Sequence, residues 1–111
     1  MKEKLNKYNQ KKYKYLYKTT NLVNNKIYIG IHCTNNLNDK YIGNGIKVNF
    51  TEKNKKKLTA FKYAILKYGI KNFKLEILSF FNSYEECLEQ EKLIVNEKWV
   101  KDKNNYNTQL L

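Results

Sequence analysis

A chain of 111 residues suffices for one domain with a modest core and is too short for two. Its 22 basic residues, all of them lysine, face 10 acidic ones for a formal net charge of +12, while a hydrophobic share of 41% excludes wholesale disorder. That surplus favours a polyanionic partner, nucleic acid ahead of a membrane surface, because no long basic amphipathic helix or apolar span is present.

Lys, Asn, Tyr and Ile are abundant together and Pro and Arg are absent, so the number of tyrosines says little and their positions carry the information. Residues 1–12 are polar, lysine-rich and aperiodic, which reads as a flexible basic arm or at most a helical turn, ahead of a domain over 13–111. Residues 13–20 and 26–32 are aromatic and β-branched, and the Asn24-Asn25 turn signal joins them into a hairpin. With two or four loop residues, Tyr15, Tyr17 and Thr19 share a face with Tyr28, Gly30 and His32, and Ile27, Ile29 and Ile31 fill the other. A two-residue loop at Asn24-Asn25 sets Tyr17 opposite His32, whereas a three-residue loop would reverse the faces and scatter the polar set.

Tyr41-Ile42-Gly43-Asn44-Gly45 reads as a turn-rich loop, and Lys53, Lys55, Lys56 and Lys57 as a basic patch. Residues 57–68 show helical spacing stopped by Gly69, and 72–79 alternate as a third strand with Phe73, Leu75 and Ile77 on one face. Ser83-Tyr84-Glu85-Glu86 is a capping-box pattern opening a helix over about 84–98. Cys33 and Cys87 are isolated, which suggests reduced thiols in an intracellular protein, and the N-terminus lacks the apolar core of a secretion signal. The fold class is α/β in the α+β sense.

Glu91 falls on the apolar stripe of the last helix with Tyr84, Cys87, Leu88, Ile94 and Val95, where a carboxylate is costly without a partner. Either it pairs with a lysine at the edge of the core, or it binds a hard cation such as Mg²⁺. His32, the one histidine, is either a satisfied structural residue or a proton acceptor and phosphate donor near neutral pH. Tyr17 and Tyr28 are either sheet aromatics or phenols at a site. Acting as a base would require nearby positive charge or a metal to lower a pKa of about 10, and Lys18, Lys26, Lys40 and Lys47 are near in sequence.

Tyr15-Leu16-Tyr17 and Tyr28-Ile29-Gly30, with His32 soon after, Tyr68 to Phe73 followed by Glu76-Ile77-Leu78, then Glu91 and Asn107, together resemble the GIY-YIG nuclease superfamily. The similarity is to its small phage-type and intron-type homing endonucleases, over almost the whole chain after residue 12. The resemblance implies a three-stranded antiparallel sheet flanked by helices and metal-dependent hydrolysis of DNA phosphodiesters. It implies Tyr17 as general base, assisted by Tyr28 or His32, Glu91 as ligand of Mg²⁺ or Mn²⁺, and Asn107 as an orienting group. It implies no small-molecule cofactor and no membrane partner. Many members carry an arginine on the first helix after the second tyrosine; this chain has none, Asn38 falls near that place, and Lys40, Lys47 and His32 are the candidate replacements. Lysine is a point charge without arginine's bidentate fork. The first triplet lacks its glycine and isoleucine, and with the sequence stopping soon after Asn107, site specificity is expected to come from the domain's own loops, the lysine arm or a partner. The alternative is a catalytically impaired nucleic-acid-binding module that keeps the nuclease fold.

Overall fold

Alternation along one strand decides the layering of this protein. A computed structural model describes residues 2–44, 46–47 and 59–108, with the side chains of 2–5 and 46–47 outside the description. In chain order the elements are α1 (Lys2–Asn9), β1 (Tyr13–Asn21), β2 (Ile27–Thr34), β3 (Tyr41–Gly43), β4 (Ile46–Lys47), α2 (Ala60–Tyr68), a 3₁₀ turn (Ile70–Asn72), β5 (Phe73–Phe80), α3 (Tyr84–Ile94) and α4 (Glu97–Lys101). Strands β2, β1 and β5 form an antiparallel sheet with β1 in the middle, and β3 and β4 form a separate two-stranded ribbon. This is the α+β architecture expected, a three-stranded sheet with helices on both sides.

Tyr28, on one face of the sheet, packs with Phe61, Ala64 and Ile65 of α2, Phe73 and Tyr106. On the other face Leu16 and Ile29 meet Val95, with Ile31, Phe81, Ile94, Trp99 and Val100 around them. Full burial of side chains of this size contributes about 1.5–3 kcal/mol each. The C-terminal segment covers the free edge of β2: Ile27 bridges Asn105 in parallel, and the Tyr106 amide donates to the Ile27 carbonyl at 2.7 Å. Among the described residues, no helix is long and apolar enough to cross a membrane.

Three local expectations change. The hairpin loop has four residues, not two: the Asn21 amide donates to the Lys26 carbonyl, and Asn25 takes the left-handed conformation at φ 64°. The sharing of faces is as expected, but Tyr17 lies opposite Gly30 and Tyr15 opposite His32. A two-residue turn of type I′ needs φ > 0 at both central residues and one of type II′ needs it at the first, whereas of Asn24 and Asn25 only Asn25 has it. The last helix is two helices. Val95 ends α3, and the side chain of Asn96 caps α4 by accepting the Trp99 amide at 2.9 Å. Residues 2–9 form a helix rather than a single turn. Asn9 accepts the Tyr84 amide and donates to Glu85 at 2.8 Å each, and Tyr8 packs on Tyr84. Helices this short are marginal alone, so contact with α3 supplies what periodicity does not.

Helix α2 starts at the Thr59 cap and stops at Gly69, whose φ of 86° suits glycine. Ser83 caps α3 by accepting the Glu86 amide, as the sequence pattern implies. In β5, Phe73 is buried, but Ile77, Leu78 and Phe80 are exposed among the described residues, and a bulge at Leu16/Tyr17 shifts the pairing with β1.

Candidate active site

Tyr17 sits in the central strand with 1% of its surface exposed. The slot that receives it exists because two neighbours are glycine. A Cβ on Gly30 would stand 2.4 Å from the phenol oxygen, and one on Gly43 would stand 3.2 Å from it at a backbone φ of 139°. Thr19 donates to the Ile42 carbonyl and so ties β3 against this face. The Tyr17 oxygen accepts the Asn44 amide at 3.0 Å and lies 3.5 Å from the Tyr41 hydroxyl. Burial, and then the neighbouring Tyr41 and Tyr28, push Tyr17 well above the usual phenol range, with only the Asn44 amide acting the other way. Burial pushes Tyr28 up too. Its ring stacks on Phe61 with centroids 4.6 Å apart, so it serves the core and the site together.

These groups open on a cleft of about 240 Å³ lined by Tyr17, Tyr28, Gly30, Tyr41, Asn44 and, from α3, Tyr84, Leu88 and Glu91. Residues 84, 88 and 91 follow one helical row into the cleft, while Cys87 and Val95 are buried beside it. Glu91 therefore reaches the phenol-bearing side of the hairpin. It is 6% exposed, and burial raises its carboxyl pKa from 4.5 to about 7. Among the described residues no cation or hydrogen-bond donor meets that carboxylate, and its oxygens are not sealed from the cleft. The lysine-paired reading of Glu91 thus finds no partner among them. No cluster of three metal-ligating side chains occurs among the described residues, so a cation here would rest on Glu91 and water. Mg²⁺ commonly binds through one or two carboxylates and retained waters, which suits such a donor set.

His32 stands beside this cleft, behind Tyr41. The two rings stack with centroids 3.6 Å apart and planes 4° from parallel. Its Nε2 lies 2.6 Å from Asp39 Oδ2, and Tyr15 meets the ring edge-on.

Comparison with known proteins identifies the family. The model of the GIY-YIG catalytic domain matches residues 13–107. The chain belongs to the GIY-YIG family. Endonuclease segA of Enterobacteria phage T4 is 39% identical over 106 residues, covering 96% of this chain and 42% of that protein. The segB and segC proteins of the same phage are 46% and 43% identical over 86% and 89% of this chain, and 38% and 43% of their own lengths. The chain thus spans about two fifths of these relatives. No solved structure gives a significant match.

Within this GIY-YIG domain Asn107 does not line the cleft. Its Oδ1 accepts the Ile29 amide at 2.9 Å and its Nδ2 donates to the Ile29 carbonyl at 2.8 Å, so the side chain extends the ladder of β2 like a strand residue. Trp99 Nε1 holds the same oxygen at 3.1 Å. Asn107 therefore fixes the strand between Tyr28 and Gly30. Lys47 pairs with Tyr41 through the ribbon, but its side chain lies outside the described residues, as do Lys53, Lys55, Lys56 and Lys57 altogether. Lys40 is exposed at φ 60°, between Asp39 and Tyr41. Residues 35–40 form a loop closed by its own turns rather than a helix, so Asn38 has no helical frame from which to stand in for arginine.

Sequence reasoning passed over Tyr41, Asn44 and Asp39. One signal could have found the first two. Tyr41-Ile42-Gly43 repeats Tyr28-Ile29-Gly30 residue for residue, and each triplet delivers a glycine to the Tyr17 slot.

Proposed function

We propose that this GIY-YIG domain is a divalent-metal-dependent DNA endonuclease of homing or mobile-element type, hydrolysing phosphodiester bonds. The observation that carries the reading is the shared cleft: Glu91, a buried carboxylate without a partner among the described residues, lines it together with Tyr17, Tyr28 and Tyr41. Burying a carboxylate is unfavourable, and a site that does so with no cation among the described residues suits a ligand that brings its own charge. The lysine surplus draws the DNA backbone in without regard to sequence.

Glu91 would hold Mg²⁺ or Mn²⁺, which when bound stabilises charge on the phosphate and the leaving oxygen. Tyr17 is assigned as the group that takes a proton from the attacking water. Unaided it stays protonated at neutral pH, but the Asn44 amide already donates to its oxygen and stabilises a developing phenolate. Tyr28 assists from the same wall, and Asn107 keeps both Tyr28 and Gly30 in register.

One observation favours a second reading, binding without cleavage: among the described residues no cation acts on the Tyr17 phenol. The experiment that separates the two is nicking of supercoiled plasmid with Mg²⁺ or Mn²⁺, with chelator and Glu91→Ala controls. Cutting that chelator and Glu91→Ala both abolish supports the nuclease. Tight binding without cutting under either ion favours the binder, and undiminished cutting by Glu91→Ala removes the ligand assignment.

A further inference from the structure

We propose that Asp39 is a positioning residue that holds His32, beside the cleft and stacked on the cleft-lining Tyr41, for contact with the substrate phosphate. The proposal rests on the nuclease reading and deepens it. Asp39 uses both carboxylate oxygens: Oδ2 lies 2.6 Å from His32 Nε2, and Oδ1 accepts the Tyr41 amide at 3.2 Å. The imidazole is thus held along its edge by Asp39, across its face by Tyr41 at 3.6 Å, and on its flank by Tyr15 at 5.6 Å. The same carboxylate sets the backbone of the residue whose hydroxyl lies 3.5 Å from Tyr17.

The pairing fixes the chemistry of the ring. Burial alone would raise the Asp39 carboxyl, yet hydrogen bonds from His32 and Thr34, the charge of His32 and the Tyr41 amide together bring it below its ordinary value. Asp39 is therefore an ionised acceptor at neutral pH, and the proton between the two belongs to Nε2. Nδ1 makes no hydrogen bond among the described residues and is the nitrogen left to accept a proton or, when protonated, to donate to a phosphate oxygen.

A purely structural pin for the loop is the plainer explanation, and the loop itself argues against it. Thr34 and Asn36 close residues 34–38 through their own side chains, and the Asp39 amide donates to the Asn36 carbonyl. Thr34 also hydrogen-bonds the Asp39 carboxylate, and none of these contacts involves His32.

Asp39→Asn separates the two contacts. Its amide oxygen can still accept from the Tyr41 amide, and the NH₂ left toward His32 cannot accept Nε2–H. We expect plasmid nicking to slow about tenfold to hundredfold, the scale seen when an orienting partner is lost, with little change in Tm. Nitrogen NMR of the metal-free, DNA-free protein should show the Nε2–H tautomer of His32 in the unaltered chain and its loss in Asp39→Asn. In a His32→Ala background, Asp39→Asn should slow cutting no further; where that background cuts too slowly to compare, the NMR signal decides. Undiminished cutting by Asp39→Asn, an equal penalty with and without His32, or an unchanged tautomer each overturns the proposal. Failure of the unaltered chain to cut overturns the nuclease reading and the substrate role together. The tautomer signal distinguishes that outcome from failure of the Asp39–His32 hydrogen bond itself.

Discussion

Leu16 and Tyr17 are neighbours in β1, almost equally buried at 4% and 1% exposure, and they face opposite sides of the sheet. Leu16 enters an apolar cluster with Ile29 and Val95 where only shape and area matter. Tyr17 enters a layer where every neighbour is specified: glycines to make room, an amide on its oxygen, further hydroxyls beside it and a carboxylate across the cleft. Burial alone does not tell these two faces apart. What does is that, among the described residues, the Tyr17 side lines a cleft with hydroxyls and a carboxylate, while the Leu16 side gathers an apolar cluster.

The sharpest way to break this comparison is to alter each neighbour in turn. Tyr17→Phe removes one oxygen, should cost about 1 kcal/mol of stability for the unpaired Asn44 amide, and should slow plasmid cutting at least about 100-fold. Leu16→Ala should do the reverse, lowering stability by about 3 kcal/mol while the rate per folded molecule, measured well below Tm, holds. Wild-type cutting by Tyr17→Phe would end its proposed assignment as base.

Next in size is Gly30→Ala. The added methyl meets the Tyr17 oxygen at 2.4 Å and its ring carbon Cζ at 2.6 Å, and a fully buried ring has nowhere to retreat. Overpacking of this kind should cost about 2–3 kcal/mol in denaturant unfolding and should also weaken cutting, because the phenol is driven off the Asn44 amide. Unchanged unfolding would show that the slot is roomier than its contacts imply.

Much of this was legible before any coordinates. The alternation of 13–20 and 26–32 assigned the faces correctly, and the stripe through Cys87 and Glu91 correctly buried a carboxylate. What local sequence could not supply were partners far along the chain. The hairpin loop length depends on Asn21, whose buried side chain bonds the hydroxyl of Tyr106, 85 residues away. Helix α1 depends on Asn9 meeting Tyr84 and Glu85. Asn107 gave no local sign that its amide would extend β2, since asparagine is common here and the side chain acts through the Ile29 backbone. Asp39 matters only because a turn returns it to His32.

The smallest effect tests what distinguishes the two faces electrostatically. An acid whose folded pKa is raised acts opposite to the usual salt-bridged carboxylate. Below pH 4.5 Glu91 is protonated folded or unfolded and has no influence on stability. Between 4.5 and about 7 the unfolded chain releases the proton while the folded one keeps it, so stability falls as pH rises; above about 7 the penalty is constant. At roughly 1.4 kcal/mol per pH unit the ceiling is about 3 kcal/mol, and oxygens that open on the cleft reduce it to about 2 kcal/mol. In chelator, Glu91→Gln should therefore be more stable than the unaltered chain by that amount at pH 8 and by nothing at pH 4. Adding Mg²⁺ at pH 8 should narrow the gap, because the cation stabilises only the protein that keeps its carboxylate. Equal unfolding curves at both pH values would return Glu91 to a hydrated edge residue. A gap that opens with pH and closes with the cation would mark Glu91 as a group whose ionised form costs stability on the side of the sheet where the reaction is assigned, a cost that Leu16 and its neighbours never incur.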